Sequence, residues 1–103
     1  MYKLVVFAPR THSDIIKKEL FKIGAGRQGN YDNCCFETVG IGQFRPLKKN
    51  NAFIGTTGVN EYVSEVRIEF LIEKSILIDA IKTLKINHPY EEPAYDVIKL
   101  ENF

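Results

Sequence analysis

Two halves of the chain carry the same hydrophobic pattern, and this repetition limits the folds that the chain can adopt. A β-rich run at residues 4–7 precedes apolar residues at helical spacing over residues 15–23. A second run, at residues 66–72, starts by alternating apolar and charged positions and precedes another helical stripe at residues 77–84. The pattern predicts two strand–helix units of the same kind within 103 residues.

The two halves superpose at an offset of 63 residues. At this offset the paired positions are Val5 with Ile68, Phe7 with Phe70, Ile15 with Ile78 and Gly24 with Asn87. A further strand at residues 34–39 and a last one at about residues 94–100 complete the two units. Such units predict an α+β, ferredoxin-like split βαβ sandwich, with both helices on one face of a single antiparallel sheet.

Local signals predict where the two helices begin and end. Thr11 and Ser13 offer N-cap hydroxyls for the first helix, and Ser75 offers one for the second. Gly24 is placed to end the first helix as a C′ residue, and Pro89 stops the second.

The middle of the chain is rich in glycine. All seven glycines lie between Gly24 and Gly58, and a stretch of this kind is uncommon as a plain connection in a small domain. It holds the strand candidate at residues 34–39, a lysine–asparagine turn at 48–51 and an apolar run at 52–55. We interpret it as the second strand followed by a Gly-rich extended hairpin or arm.

Length and charge limit the class of protein. One hundred and three residues suit one domain, residues 1–103. A net charge of +1 gives no basis for binding nucleic acid or an acidic membrane surface. No apolar run approaches the roughly 20 residues that span a bilayer, and the N-terminal one is too short for a signal segment. We therefore expect a cytoplasmic protein without nucleic-acid or membrane partners.

Seven short motifs follow one another along the chain. They are Gly24-Ala25-Gly26, Gly29-Asn30-Tyr31, Cys34 with Phe36, Gly40-x-Gly42-x-Phe44-Arg45-Pro46, Ile54-Gly55, Glu65-Val66-Arg67-Ile68-Glu69 and the segment from His88 to Asp96. Together, over residues 2–100, they resemble the small domain inserted in many bacterial Nif-three-like (NGG-one-interacting-factor-three) proteins, a domain that also occurs alone. The chain resembles the stand-alone version.

The resemblance implies a fold related to the CutA and PII proteins, which assemble as trimers. Self-association is therefore the expected partnership, with a trimer favoured over a dimer. The resemblance also implies that two features of the full-length members, the pair of metal ions and the type-two GTP cyclohydrolase label, do not apply to this chain, because the metal-binding flanking domains are absent here. We expect a non-catalytic, homo-oligomeric regulatory or ligand-sensing module, not an enzyme.

The segment at residues 88–96 concentrates reactive side chains between two prolines. It holds one imidazole, three carboxylates and two phenols. A stiff polar turn can present a ligand, and it can equally well only end a helix. The residues predicted to bind a ligand are Phe44, Arg45, His88, Tyr90, Glu91, Glu92 and Tyr95.

Metal binding of the CutA type is the alternative function. The resemblance suggests a divalent copper or zinc ion near Cys34, His88 and Glu91 or Glu92, where thiolate and imidazole would suit it. In the competing interpretation His88 caps its helix and the glutamates form hydrogen bonds in a tight turn. Adjacent Cys34 and Cys35 point to opposite faces of an extended chain, and no second cysteine pair completes a zinc site.

Nucleotide or anion binding in a cleft between subunits is the third hypothesis. Glycine-rich loops and the charges of Arg27, Arg45, Lys48 and Lys49 favour it. No phosphate-binding P-loop motif occurs, and the same charges can simply be solvated.

Aromatic residues collect in and beside the arm and the C-terminal turn. They are Tyr31, Phe36, Phe44, Phe53, Tyr62, Tyr90 and Tyr95. Aromatic side chains are enriched at protein interfaces. This distribution predicts a surface that closes against a neighbouring subunit or covers the sheet edge.

Overall fold

The chain forms a four-stranded antiparallel sheet with two helices, in a computed structural model that describes residues 1–47 and 54–103. The elements are β1 (Tyr2–Pro9), α1 (Ser13–Lys22), β2 (Phe36–Phe44), β3 (Glu61–Ile72), α2 (Lys74–Asn87) and β4 (Tyr95–Lys99). The strand order is β2-β3-β1-β4, and all three pairings are antiparallel. Both helices pack on one face of this sheet. The predicted ferredoxin-like fold is confirmed.

The hydrophobic core lies between the sheet and the helices. It is formed by Leu4, Val6, Ala8, Ile16, Leu20, Ala25, Val66, Ile68, Phe70, Ile72, Ala80 and Leu84. The members from β1 and β3 are alternate residues, as expected for strands with one packed face. No helix of the described residues packs on the opposite face of the sheet, and we call that face the open face.

The predicted offset of 63 residues between the halves is wrong by one. Val5 lies on the open face and pairs with Glu69, whereas Ile68 faces the core and pairs with Val6. The buried positions that match are 64 residues apart: Leu4 with Ile68, Val6 with Phe70, Ile16 with Ala80 and Leu20 with Leu84. Because side chains alternate faces along a strand, a slip of one residue exchanges the two faces.

The predicted helix N-caps are also wrong. The N-cap residues are His12 for α1 and Glu73 for α2, and neither makes a side-chain capping hydrogen bond. Ser13 and Ser75 lie inside the helices, and the Thr11 hydroxyl bonds to the ring of His12 at 2.8 Å. The packing of the apolar stripes on the sheet, more than capping, therefore determines where these helices begin.

The predicted helix C-termini are confirmed. Gly24 follows the last turn of α1 with a φ of 104°, and its N–H donates to the carbonyl of Phe21 at 3.0 Å. The second helix ends at Asn87, two residues before Pro89.

The second strand differs from the prediction in both position and length. It begins at Phe36 instead of Cys34, and it continues through Gly40 and Gly42 to Phe44. Its partner β3 begins at Glu61, earlier than predicted, and residues 61–69 of β3 pair with all nine residues of β2. We call β2 and the facing residues 61–65 of β3 the arm. The turn predicted at residues 48–51 and the start of the run at 52–55 lie outside the described residues.

Candidate functional site

His88 attaches the turn after α2 to the sheet. It is 6% exposed, and its Nε2 donates to the carbonyl oxygen of Phe7 in β1 at 2.7 Å. The backbone N–H of Tyr90 donates to its Nδ1 at 3.1 Å. A backbone N–H can only donate, so Nδ1 accepts and the neutral ring carries its proton on Nε2. Burial lowers the pKa of His88, which favours this neutral form.

Tyr90 connects the turn to the arm. Its ring centroid lies 4.9 Å from that of His88 and 6.1 Å from that of Phe44. Burial, together with the charge of Glu65 and a hydrogen bond to its carboxylate, raises the pKa of Tyr90 to about 12. The phenol therefore stays protonated and donates to Glu65. Gly42 leaves room for this carboxylate, because a Cβ at that position would overlap it.

A groove of about 330 Å³ lies between the arm and the turn, and we call it the arm–turn groove. Its walls include Phe44, Arg45, Glu65, Tyr90, Glu91 and Glu92. Pro46 and Ile54 add apolar surface on the arm side. The volume is at the lower end of the range of about 300–1,000 Å³ that small-molecule sites occupy. The groove can therefore hold a small metabolite.

The charges at the rim of the groove are not paired with each other. Within the described residues, the cations that form ion pairs are Lys3, Lys17, Lys22 and Arg67. Arg45 on the arm side and Glu91 and Glu92 on the turn side make no ion pair there. The guanidinium group of Arg45 on the arm side and the carboxylates of Glu91 and Glu92 on the turn side therefore remain available to a bound molecule, whereas Glu65 on the arm accepts the hydrogen bond from Tyr90.

The structure brings most of the predicted ligand-binding residues together. The arm–turn groove is lined by five of them, Phe44, Arg45, Tyr90, Glu91 and Glu92. His88 does not line the groove, but its ring contacts Tyr90 and accepts the Tyr90 N–H. Tyr95 is elsewhere: it packs partly buried against the core, with Lys85 Nζ 5.8 Å from its ring centroid.

Sequence reasoning missed Glu65 as a groove residue. Glu65 precedes the run at residues 66–72 from which β3 was predicted, and the structure includes it in the strand. Extending the alternation of β3 backwards would place it on the open face with Arg67 and Glu69. The signal was therefore present, but its use required the true start of β3.

The structure does not bring together the residues predicted to bind a metal. Cys34 bonds through its N–H to Gly26, which bonds in turn to Leu71, whereas His88 bonds to Phe7 opposite Arg67. Four strand residues separate these anchor points, about 13 Å at the usual rise per residue. Within residues 1–47 and 54–103, no three His, Cys, Asp or Glu side chains form a group that could hold a metal ion.

The arm and the open face leave apolar surface exposed. Every residue of β2 is at least partly accessible, and its large apolar side chains include Phe36, Val39 and Ile41, which are 69%, 59% and 78% exposed. A second groove, of about 450 Å³, crosses the open face above Gly40 and Gly42. The strand β2 is at one edge of the sheet, so one side of its backbone pairs with no described strand.

Neither helix in the described part of the chain is long and apolar enough to cross a membrane. No protein-family model matches the chain.

The chain is similar to bacterial proteins named GTP cyclohydrolase 1 type 2 homolog. It is 43% identical to the one from Halalkalibacterium halodurans over 99% of its own length, which is 27% of that protein. It is 40% identical to the Bacillus subtilis protein over 96% of its length and 26% of that protein. The chain thus spans about a quarter of the length of the curated relatives it matches.

Two solved structures illustrate what the chain is similar to in three dimensions. A Bacillus cereus protein related to NIF3 superposes with a TM-score of 0.82 at 44% identity, covering 98% of this chain and 26% of that one. The periplasmic divalent cation tolerance protein CutA from Archaeoglobus fulgidus superposes with a TM-score of 0.72 at 17% identity, covering 100% of this chain and 87% of that one. The chain therefore has a CutA/PII-like fold, and it is similar to about one quarter of the length of NIF3-related proteins.

Proposed function

We propose that the chain is a non-catalytic, homo-oligomeric domain that senses a small ligand, with residues 1–103 acting as one unit. The fold is that of CutA, and the sequence relationship is to the NIF3 family. Self-association would bury the arm, and the arm–turn groove would hold the ligand.

The observation that carries self-association is the state of β2. It is nine residues long and at a sheet edge, and it contains no proline or lysine, the residues that commonly protect edges. Ile41 and Val39 project from the helix side of the sheet, while Phe36 projects from the open face. An edge that no described strand covers, with apolar residues on both sides, favours pairing with another copy of the chain.

The open face supports the same proposal. The second groove lies there between Phe7 and Arg67 on one side and Gly40 of β2 on the other, and a Cβ at Gly40 would meet nothing within 4 Å. Glycine leaves the backbone accessible, so a segment of another subunit can approach closely. The resemblance to CutA and PII favours a trimer over a dimer.

The proposal of a non-catalytic role is supported by how the buried histidine His88 and the thiol of Cys35 are held. Both nitrogens of His88 bond to backbone groups, so the ring has no site left to take a proton from a substrate. Desolvation raises the pKa of the Cys35 thiol, which reduces the fraction of reactive thiolate at neutral pH. A copper or zinc site of the CutA type finds no support in the placement of Cys34 and His88.

Sedimentation equilibrium tests self-association directly. At micromolar concentration we expect the wild-type protein to have an apparent molar mass three times the 11.8 kDa of one chain. In the Ile41→Lys variant the added charge at the edge should oppose pairing and give mainly the monomer.

Ile86→Lys is the matched control. Ile86 lies on α2, outside the arm, and is 82% exposed, similar to Ile41. This variant should keep the wild-type mass. A monomeric wild-type protein, or equal dissociation of both variants, would contradict the proposal.

A further inference from the structure

We propose that the arm–turn groove binds a small zwitterion of the amino-acid class, whose carboxylate meets Arg45 and whose ammonium group meets Glu91 and Glu92. This inference rests on the proposed ligand-sensing role and names the chemical class of the ligand. It is argued from the charges, the apolar walls and the fixed parts of the groove.

The charges on the two walls are complementary to a molecule that carries both signs. Arg45 follows β2 on the arm side, and its guanidinium group suits bidentate binding of a carboxylate. Glu91 and Glu92 face it from the turn and can accept hydrogen bonds from an ammonium group. None of the three makes an ion pair within the described residues, so a ligand does not have to break an existing pair.

An apolar surface between these charges suits the body of such a ligand. The rings of Phe44 and Tyr90 lie 6.1 Å apart at 56°, and Ile54 lines the groove beside them. A flat or branched hydrocarbon side chain can pack on this surface. The volume of about 330 Å³ accommodates a single amino acid but restricts larger molecules.

The apolar wall is held in place before any ligand binds. Tyr90 is fixed by its N–H bond to His88 and by its phenol bond to Glu65. Phe44 packs against Gly55, where a Cβ would approach the ring to 3.2 Å. A wall of this kind loses little conformational freedom on binding, which favours affinity.

A nucleotide fits the groove less well than a zwitterion. The described lining residues include three carboxylates and one guanidinium group. Phosphate groups would therefore be repelled by Glu91 and Glu92, with only Arg45 to attract them. A zwitterion instead makes favourable contacts with both walls.

Isothermal titration calorimetry with three related probes tests the assignment. L-phenylalanine carries both charges, phenethylamine only the ammonium group and 3-phenylpropanoate only the carboxylate, while all three share the same ring. We expect saturable binding of L-phenylalanine, and at least about tenfold weaker binding of either single-charge probe, because each lacks one charged hydrogen-bonding group. ATP should give no saturable heat.

Variants then assign the charges to the residues. Arg45→Gln should weaken L-phenylalanine at least about tenfold and leave phenethylamine unchanged. The double variant Glu91→Gln, Glu92→Gln should weaken L-phenylalanine and leave 3-phenylpropanoate unchanged. Arg27→Gln is the control, since Arg27 is exposed and lies outside the groove, and it should bind like wild type.

The inference is overturned if L-phenylalanine gives no saturable heat, if the single-charge probes bind equally well, or if Arg45→Gln leaves its affinity unchanged. Sedimentation of the same samples separates this outcome from failure of the proposed function. An oligomer that binds none of the probes overturns only the ligand class. A monomer overturns self-association, whatever the calorimetry shows.

Discussion

The ring of His88 joins two parts of the chain, the strand β1 and the turn after α2. One nitrogen bonds to β1 at Phe7, and the other accepts the N–H of Tyr90 in the turn. The Tyr90 ring in turn forms one wall of the groove. An imidazolium ion has no acceptor, so protonation would leave the Tyr90 N–H without this partner. The neutral ring is therefore the form that holds the groove together.

This geometry predicts that stability falls in mildly acidic solution. Burial lowers the pKa of His88 below its usual value of about 6.5, against the opposing effects of Phe7 and Glu65. The unfolded chain then binds a proton that the folded chain resists. The contribution of His88 is complete above about pH 6.5 and is lost as the pH falls through that value toward the lowered native pKa. Urea unfolding between pH 7.5 and 5 measures it.

Two variants isolate the contribution of His88 to this pH dependence. His88→Gln should be less stable at pH 7.5 but should lose less of its unfolding free energy between pH 7.5 and 5 than wild type does. His12→Gln removes the other histidine, whose charge is the smallest of the influences on the pKa of His88, and should retain most of the wild-type slope. Equal slopes for wild type and His88→Gln would show that another group titrates.

Single residues show what sequence reasoning could and could not establish. The composition of the segment at residues 88–96 correctly pointed to a joint between helix and strand with clustered polar groups. Whether His88 faces outward or inward depends on the carbonyl of Phe7, which is 81 residues away. Glu65 was missed for a similar reason, because its role depends on Tyr90 and Gly42 in other elements. The site is formed by contacts between residues that are far apart in the sequence, and local sequence patterns do not predict such contacts.

At the scale of elements, the apolar periodicity identified each helix but not the register of the strands. Both helices tolerate an offset of one residue, since their apolar stripes are wide. A strand does not, and Val5 and Leu4 lie on opposite faces. Sequence reasoning places Gly40 and Gly42 after the second strand, in the extended hairpin or arm. They are in β2 instead, where Gly42 leaves space for the carboxylate of Glu65.

The connection between α1 and β2 is held in place at Gly26. Replacing this glycine should therefore destabilise the protein more than replacing Gly29. Gly26 and Gly29 both have positive φ, 76° and 58°. A Cβ on Gly26 would overlap the carbonyl of Cys34, whereas one on Gly29 meets nothing within 4 Å. Gly26→Ala should therefore lower the unfolding free energy by about 1–3 kcal/mol more than Gly29→Ala does, since both share the backbone strain.

Urea unfolding of the two glycine variants at one protein concentration measures this difference. The same contact also explains the expected result, because Gly26 donates to Leu71 at 2.8 Å and accepts from Cys34 at 2.9 Å. Similar losses for both variants would mean that the segment around Cys34 shifts to make room for the added methyl group.

At the scale of the whole molecule, the fold was predictable because two similar units must bury two apolar stripes on one sheet. Assembly was less accessible to sequence reasoning. The aromatic residues in and beside the arm predict an interface, which stays a prediction, and Tyr31, Phe36 and Tyr62 are 75%, 69% and 63% exposed. Phe53 lies outside the described residues. Which of these surfaces meets a partner depends on the edge and open face of the folded sheet, which exist only once β2 has paired with β3.

If the folded chain assembles as a trimer, its thermal stability must depend on concentration. Assembly stabilises the folded state by mass action, so a tenfold increase in concentration adds about 1 kcal/mol per chain. For a domain of this size that corresponds to a rise in Tm of about 4–8 °C. Differential scanning calorimetry of wild type at two concentrations should show the rise, and Ile86→Lys should follow it. The Ile41→Lys chain, with its edge charged, should melt at the same temperature at both concentrations, and a rise as large as that of wild type would place the interface away from β2.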